Sequence, residues 1–291
     1  MSQVKKHLSA SSIGLYSRCG EAWRRRYIEN DVVPPTAGLA RGKAFHHAAA
    51  INMSQKVESG KDMTVNDVQD AATENAKLEL DNSDIESSEI DLVVDRVALM
   101  TAGHMTLQAP TVMPIEVEKE FRVETNLSRD FIGFIDVVGV CHVEQKAGDT
   151  VTPTVSSPMV IDWKTSQKSP NKFDALESIQ LTGYAATEMQ ERGLTEIGVR
   201  LDHLILTPKG KVPKRRILDS KRDGADVKAL AHRLVQINKA IDAEVFPPAA
   251  VGSWQCGPKW CGYWRSCKYV NAARREAAEK IEQLDDVLSK L

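Results

Sequence analysis

Two carboxylates interrupt segments that are otherwise apolar: Asp136 within FIGFIDVVGV and Asp162 within VIDWKT. An ionised group taken out of water without a partner is costly, so both interruptions call for compensation. A divalent cation supplies it, because such ions prefer hard oxygen ligands. Lys164 follows Asp162 by two residues. In a strand, positions i and i+2 project from one face, so its ammonium can reach the same place. His46, in RGKAFHHAAAINM, offers a nitrogen ligand. Its neighbour His47 would point about 100° away on a helix and reads as structural. Taken singly, each acid could be a strand-end residue bonded to a loop, with Lys164 in a salt bridge. Their conjunction is what points to a metal site.

A second group is made of thiols. WQCGPKWCGYWRSCKY sets Cys256, Cys261 and Cys267 among glycines and a proline, so the three can converge on one centre. A fourth ligand must come from Cys19 or Cys141. Cys141 lies in the apolar VVGVCHV, where a small buried thiol packs as an apolar residue. Cys19, in YSRCGEAW, is the better candidate. Four thiolates suit Zn2+ or a [4Fe-4S] cluster. The spacing is not the paired C-x2-C of a zinc ribbon. A disulfide framework is not expected of five cysteines in a reducing compartment.

The elements that must carry these residues can be read from periodicity. LSASSIGLYSRCGEAWRRRYIEN reads as one helix with Ile13, Tyr16, Ala22, Trp23 and Tyr27 as its apolar stripe. A second helix begins near Gly38. Residues 58–95 hold twelve acidic and two basic residues and read as an exposed helical insertion. From residue 115 the period changes to alternation, and FIGFIDVVGVCHV, MVIDWKT and IGVRLDHLILT suit strands, the first two central. Helical pattern returns between Asn171 and Arg192, which sets Gln180 and Tyr184 on one face, and again between Asp226 and Glu244. The order predicts a mixed α/β domain with a central sheet flanked by helices, its catalytic sheet region at 111–207.

The net charge of −2 hides an asymmetry, since the rest of the chain is basic once the acidic stretch is set aside. Candidate contacts to an anionic partner are Arg24, Arg25 and Arg26, then Lys209, Lys211, Lys214, Arg215 and Arg216. No run approaches the ~18 uncharged apolar residues of a membrane span, and MSQVKKHLSASS lacks a secretory core, so a cytoplasmic protein is expected. G-x4-G-K-[ST] is absent, which excludes a P-loop motor.

The succession Gly42-x3-His46, Gly133-x2-Asp136, Asp162-Trp163-Lys164 and Gln180-x3-Tyr184 resembles the motif series of the PD-(D/E)xK nuclease superfamily, in its RecB-like branch. The resemblance implies a restriction-endonuclease-like core and a DNA exonuclease dependent on Mg2+ or Mn2+. His46, Asp136 and Asp162 would hold the ion, Lys164 would orient or activate water, and Gln180 and Tyr184 would brace the site and the strand. One distant cysteine followed by a C-terminal triplet is similar to the iron-sulfur subgroup of that branch, which includes AddB-type nuclease domains and CRISPR-associated exonucleases. By that likeness Cys19, Cys256, Cys261 and Cys267 hold a [4Fe-4S] cluster, and residues 1–35 and 251–291 form a clamp joining the two ends of a single nuclease domain. Gly20 departs from the subgroup's proline after the first cysteine. The implied substrate is single-stranded or frayed DNA, with a helicase or recombination partner to open duplexes. The rival readings are a non-catalytic DNA-binding or adaptor module and a redox sensor built on the cysteines.

Overall fold

Ser9 accepts a hydrogen bond from the Ser12 amide and so starts α1 (Ala10–Arg18), directly after the two-residue strand β1 (His7–Leu8). The apolar stripe of this segment suggested one long helix, but the chain breaks at Cys19, whose backbone is extended. The Cys19 amide closes α1 on Leu15, and its Sγ accepts from the Ala22 amide at 3.4 Å to begin α2 (Gly20–Tyr27). Gly20 is required by packing: a Cβ there would lie 2.8 Å from Pro247 Cδ and 2.9 Å from Phe246 Cα. Trp23 is fully buried, stacks on Phe246 at 5.9 Å, and donates its indole N–H to Ser12 at 2.8 Å.

Thr36 caps α3 (Ala37–Ser59), and Gly60, with φ 72°, ends it. Thr64 caps α4 (Val65–Leu80), and α5 (Ser87–Gly103) follows. The acidic stretch is therefore helical but not a free-standing excursion. Val68, Ala72, Ala76 and Leu80 recur every fourth residue, and with Val93, Val97 and Met100 they bury against Ala44, Ala48 and Met53 of α3. The apolar stripe is made of small residues, so an acidic composition hid it; the charges occupy the other faces.

Five strands of the six-stranded sheet are β2 (Val112–Val123), β3 (Asp130–Cys141), β4 (Met159–Ser166), β5 (Glu196–Ile205) and β6 (Lys214–Asp223), each paired with the next. β4 and β5 are parallel, and the connection between them carries α6 (Asp174–Glu177) and α7 (Ile179–Arg192); the other pairs are antiparallel. This is an α/β architecture with a mixed central sheet flanked by helices. β6 was not anticipated, because its KRRILDSKRD is so rich in charge. Alternation turns Arg215 inward, where Nη2 meets Asp202 at 2.6 Å. Arg215 is thus a structural clamp rather than a contact kept for an anionic partner. The chain continues through α8 (Gly224–Asp242) to α9 (Ala272–Ser289).

The computed structural model describes residues 6–34, 36–81, 87–141 and 157–289. The chain divides into two units: 34–126 with 130–234, which contains strands β2 to β6, and 1–33 with 127–129 and 235–291. In the second unit the two ends of the sequence are joined by Tyr263 donating to the Asp31 carbonyl at 2.6 Å and by Trp23 on Phe246, so the joined C-terminal segment begins earlier than residue 251. Among the described residues no helix is long and apolar enough to cross a membrane.

Candidate active site

β3 and β4 pair through Gly139↔Met159, Val138↔Val160 and Val137↔Ile161, and there the ladder stops. The next pair would be Asp136 and Asp162, so both carboxylates stand where the strands part. Asp136 replaces a lost ladder bond by accepting the Trp163 amide at 2.8 Å through Oδ2. The same oxygen lies 3.2 Å from His46 Nδ1 on α3. Lys164 Nζ sits 2.6 Å from Asp162 Oδ2 and donates to Gln180 Oε1 at 3.2 Å. Gln180 in turn donates to the Tyr184 hydroxyl one turn along α7. Asp162, Lys164, Gln180 and Tyr184 thus form one connected line. Phe121 packs edge-on against Tyr184 and leaves no room for a side chain at Gly133, where a Cβ would come 2.6 Å from its ring.

The electrostatics follow from burial and from this mixture of signs. Burial pushes the Asp162 carboxyl up, Asp136 adds to that, and Lys164 opposes it; the net direction is upward. Burial also works against the Asp136 anion, but His46, Lys164 and the Trp163 amide outweigh it and hold that carboxyl below its ordinary range. For His46 burial is outweighed by Asp136, so its ring holds a proton more tightly than usual. Tyr184 is pushed far up by burial and by the two carboxylates, which keeps its hydroxyl neutral.

Asp162 is fully buried, with Oδ2 held by the Lys164 ammonium at 2.6 Å and Oδ1 without a hydrogen-bond partner among the described residues. A buried carboxylate with one oxygen unmet, beside a second carboxylate and an imidazole, fits a hard divalent cation. Among the described residues, though, no three His, Cys, Asp or Glu side chains are drawn together into a ready-made metal cage. The ion pairs to His46 and Lys164 hold the acids instead.

The sequence profile of the PD-(D/E)XK nuclease superfamily matches residues 7–268. The chain belongs to that superfamily. No curated protein matches it. Membership in the PD-(D/E)XK nucleases implies metal-dependent hydrolysis of nucleic acid, with DNA as the polymer acted on and Mg2+ or Mn2+ as the usual ion.

Two residues beside this candidate site gave no signal in the sequence. Glu118 lies in β2 between Val117↔Val137 and Lys119↔Ile135, hence opposite Asp136, with a left-handed φ of 48° that strand residues rarely adopt. Burial raises its carboxyl pKa, as do Asp136 and, less, Asp162. His203 is the partner of Lys164 in the β4–β5 ladder. Only the register identifies either one, since both sit among other polar residues in their strands. His47 is exposed on α3.

In the other unit, Cys19, Cys256, Cys261 and Cys267 line one cavity of 390 Å³ together with Trp254 and Trp260. Each of the last three cysteines lies in a hydrogen-bonded turn: Cys256 N to Ser253 O, Cys261 N to Gly257 O, and Val270 N to Cys267 O. Burial pushes the Cys261 thiol up; the Tyr263 amide opposes this, and Cys19, Cys256 and Cys267 each add to it. Cys141 is buried in β3, within the core of the sheet unit, and is not in this group. Arg24 is bonded to Glu21 and Glu29, and Arg25 to Asp31 and Ser266 with its guanidinium 4.6 Å from the Tyr263 ring centre. Arg26 is exposed.

Proposed function

We propose that the protein is a Mg2+- or Mn2+-dependent deoxyribonuclease of the RecB-like branch, acting as an exonuclease on single-stranded or frayed DNA ends. The observation that carries this reading is the buried Asp162 carboxylate with an unmet oxygen, set beside Asp136 and Lys164 in a superfamily of nucleases. His46, Asp136 and Asp162 would hold the ion. When bound, it would offset the charge of the phosphodiester and make attacking water more acidic. Lys164 brings an ammonium to the same point to orient the water. Gln180 fixes that ammonium through its carbonyl oxygen. Tyr184 anchors Gln180 and, being neutral, keeps an O–H for the bound strand.

The cysteine cavity supports a second, structural centre. Four cysteines lining one cavity offer the donor set of a [4Fe-4S] cluster or of zinc, and likeness to the iron-sulfur subgroup favours the cluster. It would clamp the first and last segments of the chain. With no P-loop in the sequence, the enzyme would act in the cytoplasm on ends opened by a helicase or recombination partner.

The test is incubation of anaerobically purified protein with DNA labelled at either end, with Mn2+, Mg2+ or EDTA. Stepwise loss from one end in metal, and none in EDTA, is expected. Binding without cleavage in either metal would make it an adaptor module, and internal cuts would refute the exonuclease assignment.

A further inference from the structure

The sheet face that carries Asp162 and Lys164 also carries an imidazole with no established use. β4 and β5 run parallel with Lys164 opposite His203, and adjacent strands lie about 4.8 Å apart. Side chains alternate along β5. Its neighbour Asp202 points to the other face, where Arg215 and Gln108 bond it. His203 therefore shares the face of Lys164, and the ammonium of Lys164 acts on its ring.

His203 is 8% exposed, and neither ring nitrogen has a hydrogen-bond partner among the described residues. Burial, and after it Lys164, makes the ring harder to protonate, so it stands as a neutral imidazole with one N–H donor and one acceptor. Leaving both unmet inside a protein is unfavourable, and an apolar side chain of similar shape would avoid it. An unmet donor beside a cation, on the face that holds the candidate active site, suits an anion with several acceptor oxygens.

We propose that His203 donates a hydrogen bond to a phosphate oxygen of the bound DNA strand next to Lys164, as a phosphate contact that does not depend on the metal. The proposal rests on the nuclease reading of the same site and adds a substrate-binding residue to it.

The experiment compares the parent with His203→Phe, which keeps a ring without nitrogens, and with His203→Asn and His203→Gln, which restore an N–H near one or other ring position. Three quantities are read: the dissociation constant of a labelled single-stranded oligonucleotide in EDTA, KM and kcat in Mn2+, and the thermal midpoint. His203→Phe should raise the dissociation constant and KM about tenfold, with a smaller change in kcat. Its thermal midpoint should stay or rise, since two unmet groups are removed. One of the amide variants should recover most of the affinity. Unchanged affinity and KM in His203→Phe would overturn the proposal. So would a loss of affinity that tracks a fall in thermal midpoint and is recovered by neither amide. A parent that binds but does not cleave in Mn2+ would sink the nuclease reading instead, while the EDTA measurement still decides His203.

Discussion

The carboxylate site and the cysteine cavity both gather groups able to bind metal, yet they are built in opposite ways. Asp136, Asp162 and Lys164 sit on strands and His46 and Gln180 on helices, so regular backbone aims each of them. The acids are already offset by His46 at 3.2 Å and Lys164 at 2.6 Å. The cysteines lie at a helix cap and in turns, with Arg25 and Arg274 lining the same cavity. A site on rigid elements with its own counter-charges can keep its shape without an ion. A site made of turns would depend on a bound metal centre for its shape, if the proposed cluster is there.

The largest effect that would test this difference is on turnover. Asp162→Asn should lower kcat by about a thousandfold, equivalent to about 4 kcal/mol of transition-state stabilisation, and leave the thermal midpoint where it was or higher. A drop in midpoint alongside the lost turnover would show that the carboxylate site is as structural as the cavity. Next comes Cys261→Ser. Iron or zinc content measured on anaerobically prepared protein should fall by more than half, and the midpoint should drop with it, whereas Cys141→Ser should leave metal content unchanged. A Cys261→Ser protein with parental midpoint and DNA affinity but no cleavage would reverse the assignment of the two regions.

Acid should distinguish the units through His104, which is fully buried against Trp163 and pushed down to about 4 by burial. Folded His104 stays neutral while the unfolded chain takes up a proton below its ordinary 6.5. Its stabilising contribution is therefore complete above pH 6.5 and is lost as pH falls from there to about 4, by up to about 3 kcal/mol. His104→Gln should flatten this slope in acid denaturation followed by circular dichroism; an unchanged slope would remove His104 as its cause. The smallest effect concerns the basic run. Arg26→Ala should weaken DNA binding a few-fold and lower the salt slope by about one, while Arg24→Ala, whose guanidinium is held by Glu21 and Glu29, should not. Equal losses would mean those ion pairs open on binding.

Several parts of the molecule were legible in the sequence for local reasons. A carboxylate inside an apolar run announces its burial, and a switch from 3.6-residue to alternating period marks the passage from helix to strand. Gln180 and Tyr184 could be put on one face from their spacing alone. Other parts misled. The stripe of Ala and Val in α4 was masked by its acidic neighbours, and the charges of β6 concealed a strand. Cys19 was legible as a ligand candidate but not as the residue that ends one helix and starts the next, because that role depends on Gly20 fitting under Phe246 and Pro247.

By itself, then, the sequence determined which side chains had to find partners, since the cost of burying a charge or assembling thiols belongs to residue type and immediate surroundings. Which partners they found was decided by tertiary structure. Glu118 faces Asp136, His203 stands beside Lys164, and Arg215 closes on Asp202 only because strands distant in sequence settled into one register. Register is chosen by the whole core at once: a slip of one residue would turn every side chain of a strand to the opposite face.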